Sequence, residues 1–559
     1  MPPAGAEARF NALLKEEWTW RLRELPRLAS FVGERAGDHR LERMDGASRA
    51  ARLARWQATR ERLRGIDGAA LSAQARVEAA VYAHQLDGLI AEHQLGGVLM
   101  PIDGDSAFFT PLTELWRDQP LDSSAQLQAF LARLAAIPQF FDDHIELMEE
   151  GRRAGLMPPA IVLAGRDAPI AQLAACAHAE QTTLFRPVLA RLQAHPKLLR
   201  EAQRLWSKAL RPACQQLLRY LRKRYLPAAR ASTAARELPG GEAFYAARVR
   251  QFTTLDMSPE QVHELGLAEV ERIAADLSRL QRECGHQGQW DDFLHGLRND
   301  PRHYPRSGEA LLAQASWIAK RVDGVLPRFF GHLPRQPFGV EPVPEAMAPF
   351  YTTGRYVPAP PGGTAQYWVN THKLRSRALY ALPALTLHEA MPGHHMQFAL
   401  DAENPTLKPF RRASDLSAHS EGWALYAEFL GTEMGLYRTP LEALGRSSYE
   451  MWRACRLVAD TGLHWLGWSR EQACALLRQR TALSEHEIGT EVDRYIGWPG
   501  QALSYKMGEI VIRRLRTRWE QTLGSAFDPR PFHDRLLALG AVPLPCLERE
   551  LSLEGVQPP

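Results

Sequence analysis

From Glu7 to about Leu238, apolar residues return at the three- and four-residue spacing of one face of an α-helix. The strict alternation of a half-buried strand is scarce there. This period constrains the fold more than any other feature, because a chain written in it cannot lay one clean face of a sheet on a core. LQAFLARLAAIPQFFDDHIELM and EAQRLWSKALRPACQQLLRYLRKRYL carry the pattern most clearly, with turns marked at segments such as Gly96-Gly97. No repeat period suggests a solenoid.

Pro239-Gly240-Gly241 cannot continue a helix, so the chain is expected to divide into an N-terminal helical lobe over 1–238 and a second lobe over 239–559 that carries the chemistry. Ser258-Pro259-Glu260 reads as an N-cap with proline at the first helical position. Helix then continues to about Val325. From Pro334 to about Leu374 the text is rich in Pro, Gly and aromatics, and Ala365-Gln366-Tyr367-Trp368-Val369-Asn370 is its best strand candidate. Helix returns from about Ser376. The expected class is mainly α, with a small β element ahead of the site.

A hydrophobic fraction of 45% and a charged fraction of 24% are those of an ordinary globular protein. The net charge of +4, spread over 68 basic and 64 acidic residues, gives no field that argues for nucleic acid or an anionic membrane as partner. Six scattered cysteines form no CxxC pair, so they read as buried thiols. No basic segment leads into an apolar run at the start, and no stretch reaches the roughly 20 apolar residues of a membrane span. A cytoplasmic location is expected, or a periplasmic one if a leader was removed.

Chemistry concentrates in LPALTLHEAMPGHHMQFAL, where His388 and Glu389 stand in an apolar helix and His394 and His395 follow Pro392-Gly393. Buried polar side chains need partners, and a divalent metal supplies them. In the HExxH signature of zinc peptidases two histidines four apart share one helical face, and the glutamate takes a proton from water. Here the fourth position after His388 is Pro392. On an ideal helix His394 lies about 240° round from His388, and His395 returns to its face but about 10 Å further along the axis. Pro392 removes an N–H and Gly393 tolerates irregular dihedrals, so a kink or bulge is expected to swing His394, in preference to His395, to the metal.

A third ligand is expected from DLSAHSEGWALYAEFLGTEMG, where Glu421 lies 33 residues after His388. Glu428, on the same face, is the alternative ligand or a group that supports one, and His419 or Asp415 is a candidate to orient a ligand histidine. His395 is assigned a similar supporting role. In EVDRYIGWPGQALSYKMGEI, Tyr505 is the preferred donor to an oxyanion, with Tyr495, Trp498, Gln501 and Lys506 as further candidate contacts. Tyr367 and Asn370 are candidates to bond a peptide backbone at a strand edge. Arg456, Asp460 and His464 share a helical face, either as a buried salt-bridged face or with His464 donating to the intermediate and Arg456 binding a peptide carboxylate.

With HEAMPGHH at His388 to His395, SEGWALYAE at Ser420 to Glu428 and WPGQALSYKMG at Trp498 to Gly508, the chain resembles the bacterial domain of unknown function 885 family. The resemblance implies a helical metallopeptidase similar to the group of thimet oligopeptidase, angiotensin-converting enzyme and the thermostable carboxypeptidases, with two lobes flanking a deep channel. The expected function is hydrolysis of oligopeptides with one zinc ion on His388, His394 and Glu421, Glu389 as base and Tyr505 at the oxyanion. A His, His, Glu set suits zinc best and admits manganese or cobalt. A metal-dependent amidase on a non-peptide substrate and a metal-free scaffold are the alternatives.

Overall fold

Helix dominates both halves of the computed structural model, which describes residues 5–103, 107–345, 347–348, 351–359, 363–414 and 416–553. By its contacts the chain divides into two compact units. One runs to Phe244 and takes in Ile496–Trp498, and the other comprises Tyr245–Tyr495 and the chain from Pro499 onward.

In the first unit the amphipathic stretches become helices such as Ala6–Glu24, Gly46–Arg64, Ala73–Gln94 and Ile137–Arg153, with Phe10, Trp56, Tyr82 and Leu147 in its core. Asp45 caps Gly46–Arg64 by accepting from the Ser48 amide, and Ser123 forms a capping box with Gln126 at the helix Ser124–Ala135. The fully buried Glu17 accepts from Arg21, Trp56 and Tyr82, which meets the requirement that a buried charge be paired.

Apart from Trp498, which falls in the first unit, the described residues singled out for chemistry lie in the second unit. Helix α1 (Pro259–Glu283) starts where the sequence places it, with the Ser258 hydroxyl accepting from the Gln261 amide and Pro259 at the first turn. A small sheet follows. Strands β1 (Phe338–Pro342), β2 (Gly354–Val357) and β3 (Ala365–Val369) lie in the order β1-β3-β2, with β1 parallel and β2 antiparallel to β3. The expected strand is thus β3, but it is central and has no free edge to offer a peptide. The edges belong to two short strands whose prolines and glycines hid them in the sequence.

Beyond the sheet come α2 (Leu382–Glu389), α3 (His394–Glu403), α4 (Ser417–Glu433), α5 (Pro440–His464), α6 (Glu485–Gly497), α7 (Ser504–Leu523) and α8 (Pro529–Ala538). Every residue of α2 is buried, the polar Thr386, His388 and Glu389 along with the apolar ones. Helix α1 packs along α5, and α2 packs on α4.

The crossing of α4 and α7 is close and it positions the site. Gly422 and Gly508 face each other there, and a Cβ on Gly508 would stand 1.8 Å from the Ala418 carbonyl oxygen and 2.7 Å from the Gly422 Cα. Glu421 and Tyr505 sit one and three residues from this contact, so helix approach and site geometry are set together. Gly508→Ala is expected to lower unfolding stability by about 1–3 kcal/mol through overpacking, read from denaturant midpoints. An unchanged midpoint would mean that the crossing yields freely.

Candidate metal centre

Sequence led to the expectation of one kinked helix; the structure has two helices separated by a break. Helix α2 stops at Glu389, and Ala390 leaves helical dihedrals at φ −100°, ψ −122°. The Met391–Pro392 peptide is cis. The Gly393 amide bonds back to the Leu387 carbonyl at 3.0 Å, and α3 restarts at His394 with Gly393 as its N-cap. A Cβ on Gly393 would come within 2.0 Å of the His388 carbonyl oxygen, so only glycine passes this point. The indole of Trp423 on α4 donates to the Pro392 carbonyl at 2.9 Å and ties the break to the helix that carries Glu421.

The break brings together two imidazoles that an unbroken helix would hold apart. Glu421 Oε2 lies 3.4 Å from His388 Nε2 and 3.4 Å from His394 Nε2, and the three ligand atoms all fall within 4.8 Å of one another. A separation of about 3.4 Å is the edge of a tetrahedron around an ion bonded at roughly 2.1 Å. Glu421 Oε2 is buried with no hydrogen-bond donor aligned on it, and the second ring nitrogen of His394 has no partner either. Lone pairs converging without donors, in a set of two imidazoles and one carboxylate, fit a divalent cation.

The surroundings favour positive charge. Burial works against a charge on His388, yet its contacts with Glu421 and Glu428 and the field of Glu389 lift its pKa to about 10. Burial likewise opposes ionisation of Glu421, but His388 and His394 outweigh it and hold the carboxyl well below the usual range. His388 Nδ1 donates to Glu428 Oε1 at 2.8 Å, which turns Nε2 toward Glu421. Glu428 is therefore the support for His388. It is fully buried and lies 3.3 Å from the Arg453 guanidinium, and the Tyr437 hydroxyl donates to its backbone carbonyl.

Glu389 follows His388 in the chain. Its Oε2 accepts from the Tyr356 amide of β2 at 2.7 Å, on the outer edge of the sheet. Tyr505 lies alongside, its ring stacked 6.4 Å from that of His388 and covered on one face by the Arg456 guanidinium at 4.0 Å. Arg494 donates to the Tyr505 oxygen at 3.3 Å and to Gln501 Oε1 at 2.8 Å.

Several candidates prove to be structural. His395 points to the sheet, with Nε2 2.9 Å from the Gln336 carbonyl and its ring on Phe338, and takes no part in the cluster. His419 is fully buried, has its pKa pushed down to about 4 by burial and by Arg411, and meets the Val542 amide, not a ligand histidine. Asp415 lies outside the described residues. Tyr367 is fully buried under the sheet, and the Asn370 amide is spent on the carbonyls of Ala348, Tyr351 and Thr352. Neither reaches a substrate.

Arg456 is buried and donates to Glu491 at 2.8 Å and to Tyr495, which holds its guanidinium inside the protein. His464, fully buried, meets the Tyr495 carbonyl at 2.9 Å and has no access to an intermediate. Asp460 accepts from Tyr245 and from the Gly500 amide, fixing the turn before α7. All three are buried and bonded within the protein, as the buried-face alternative expects. Gln501 serves Arg494, and Lys506 is fully buried among Glu269, Glu450 and Glu509. Sequence reasoning missed Tyr356, which acts through its backbone, and Arg453, Arg494 and Trp423, although Trp423 and Arg494 stand within the quoted motifs.

The family described as "Bacterial protein of unknown function (DUF885)" matches residues 26–551. The chain belongs to the DUF885 family. Its fold is that of solved relatives as well. One, described as "the putative lipoprotein from Colwellia psychrerythraea", is 25% identical, with a TM-score of 0.89 over 98% of this chain and 99% of that one. Another, "a putative lipoprotein of unknown function from Shewanella oneidensis", is 18% identical, with a TM-score of 0.67 over the same shares, and shows the fold alone. No curated protein matches the chain. None of the described helices is long and apolar enough to cross a membrane.

Because Glu428 holds the orientation of His388, Glu428→Gln is expected to weaken metal binding about 10- to 100-fold, measured by competition with a chromogenic chelator. Glu421→Ala, which removes a ligand, should lose far more. Equal affinities for Glu428→Gln and the parent would reduce Glu428 to a packing role.

Proposed function

We propose that this DUF885 protein is a zinc-dependent hydrolase of peptide bonds in oligopeptides. The observation that carries the reading is the convergence of His388, His394 and Glu421 on one point, with Glu389 next in the chain to the first ligand. A zinc ion held there would acidify a water in its open position and polarise a peptide carbonyl.

The remaining work falls to the chain itself. Glu389, pinned through Oε2 by the Tyr356 amide, keeps Oε1 for taking the proton of the attacking water and passing it to the leaving amine. Tyr505 accepts from Arg494, which leaves its own O–H to donate to the carbonyl oxygen as charge develops there. The exposed ring of Phe398, 5.8 Å from that of His394 and stacked on Tyr356, supports an apolar side chain beside the reacting bond. The expectation of a cytoplasmic protein finds no support among the solved relatives. The description of the Colwellia protein as a lipoprotein favours a location outside the cytoplasm for this chain too.

Glu389→Gln is expected to lower kcat by about 10²- to 10⁴-fold on a peptide substrate while the purified protein keeps its metal. Tyr505→Phe should cost kcat about 10²- to 10³-fold, and His388→Ala should lose the metal itself, seen in elemental analysis. Full activity in Glu389→Gln would contradict the proposal.

A further inference from the structure

Four arginines lie around the candidate metal centre, and three of them have a carboxylate partner within the protein. Arg453 lies 3.3 Å from Glu428, Arg456 donates to Glu491 at 2.8 Å, and Arg494 lies 3.8 Å from Glu491. Arg355 differs. Among the described residues no carboxylate lies within ion-pair distance of it, and its recorded hydrogen-bond partner is the neutral hydroxyl of Tyr351.

Arg355 borders the site at the outer edge of β2, on the sheet face opposite the one that Gly354 and Tyr367 turn to Leu385 and Thr386 of α2. It stands on β2, immediately before Tyr356, whose amide bonds Glu389. Gly354 and Tyr356 are buried and Arg355 between them is exposed, as the two-residue alternation of a strand demands. Its partner across the ladder is Trp368, whose ring meets that of Tyr351 at 6.0 Å, so Arg355, Tyr351 and Trp368 share one face of the sheet. Tyr356 leaves by the opposite face, toward His395 and Phe398. Although solvent reaches Arg355, burial pulls its pKa down, and Tyr351, Glu389 and Tyr505 more than offset that effect.

We infer that Arg355 is the substrate-anchoring residue, and that it binds a carboxylate of the peptide next to the bond presented to Glu389. A guanidinium with no internal counter-charge offers two parallel N–H donors that match a carboxylate, and in a concave site this pair is stronger than in open water. The carboxylate is the C-terminal one or that of an acidic side chain. The inference rests on the peptide-hydrolase reading for its substrate, but the binding it describes is measurable without turnover.

The test uses the full-length, zinc-loaded Glu389→Gln protein and three probes: the pentapeptide Ala-Ala-Phe-Ala-Ala as free acid, its C-terminal amide, and the amide of Ala-Ala-Phe-Glu-Ala. Calorimetry should find the free acid, the Glu-containing amide, or both bound about 10- to 100-fold more tightly than the plain amide. The two charged probes separate a terminal from a side-chain carboxylate. Adding Arg355→Gln should bring the charged probes down to the plain amide, and Arg355→Lys should restore part of the difference, which a loss of folding would not do. An advantage that survives Arg355→Gln, or equal binding of all three probes from the outset, overturns the assignment. Parallel assays of the protein with Glu389 intact keep the two readings apart. Discrimination through Arg355 without hydrolysis of any probe supports the anchor and defeats the hydrolase, whereas hydrolysis without discrimination does the reverse.

Discussion

Everything at the candidate site depends on the chain leaving helical geometry between Ala390 and Gly393. Six residues separate His388 from His394, and an unbroken helix would aim them at different faces. Ending α2 at Glu389 and restarting at His394 lets each imidazole come from a helix terminus, with Glu421 arriving from a third helix. The break in turn depends on Gly393, where no side chain fits against the His388 carbonyl, and on the Trp423 indole, which occupies the Pro392 carbonyl. A buried carbonyl without that donor would cost about 1–3 kcal/mol. The residue two positions after Glu421 therefore also ties down the break between His388 and His394.

Around this point the protein keeps a high density of buried charge, each group answered by another. His388 is answered by Glu428 and Glu428 by Arg453, while Lys506 lies among Glu269, Glu450 and Glu509. Pairs of this kind add little net stability compared with apolar packing, but removing one partner leaves the other uncompensated and costs several kcal/mol. Their value here is directional: they fix ring orientation and helix register where a metal ligand has to be held to within a fraction of an ångström. The Gly422–Gly508 crossing serves the same end by leaving α4 and α7 no room to slide.

The helical class was legible because period and composition agree over long stretches, and β3 was legible because Tyr, Trp and Val cluster at Ala365–Val369. The strands β1 and β2 were not, since Pro342 and Gly354 disguise short edge strands and β1 pairs with β3 past the intervening β2. At the site, residue type and spacing led to His388, His394, Glu389 and Glu421, and the distortion that makes them compatible was readable in Pro392-Gly393. Roles that depend on direction were not readable. Tyr367, Asn370, Arg456 and His464 carry suitable groups, but their hydrogen bonds are spent inward. Arg355 was passed over because a lone arginine in a Gly- and Pro-rich tract has no pattern, and its meaning comes only from the strand whose next amide bonds Glu389.

The central claim is that His388, His394 and Glu421 enclose one cation. Diffraction from crystals of the zinc-loaded protein, recorded on both sides of the zinc absorption edge, tests it most directly. The account predicts a single anomalous peak at about 2.0–2.2 Å from His388 Nε2, His394 Nε2 and a Glu421 carboxylate oxygen. A peak coordinated by His395 in place of His394, or no peak among these three residues in protein shown to contain zinc, would contradict it.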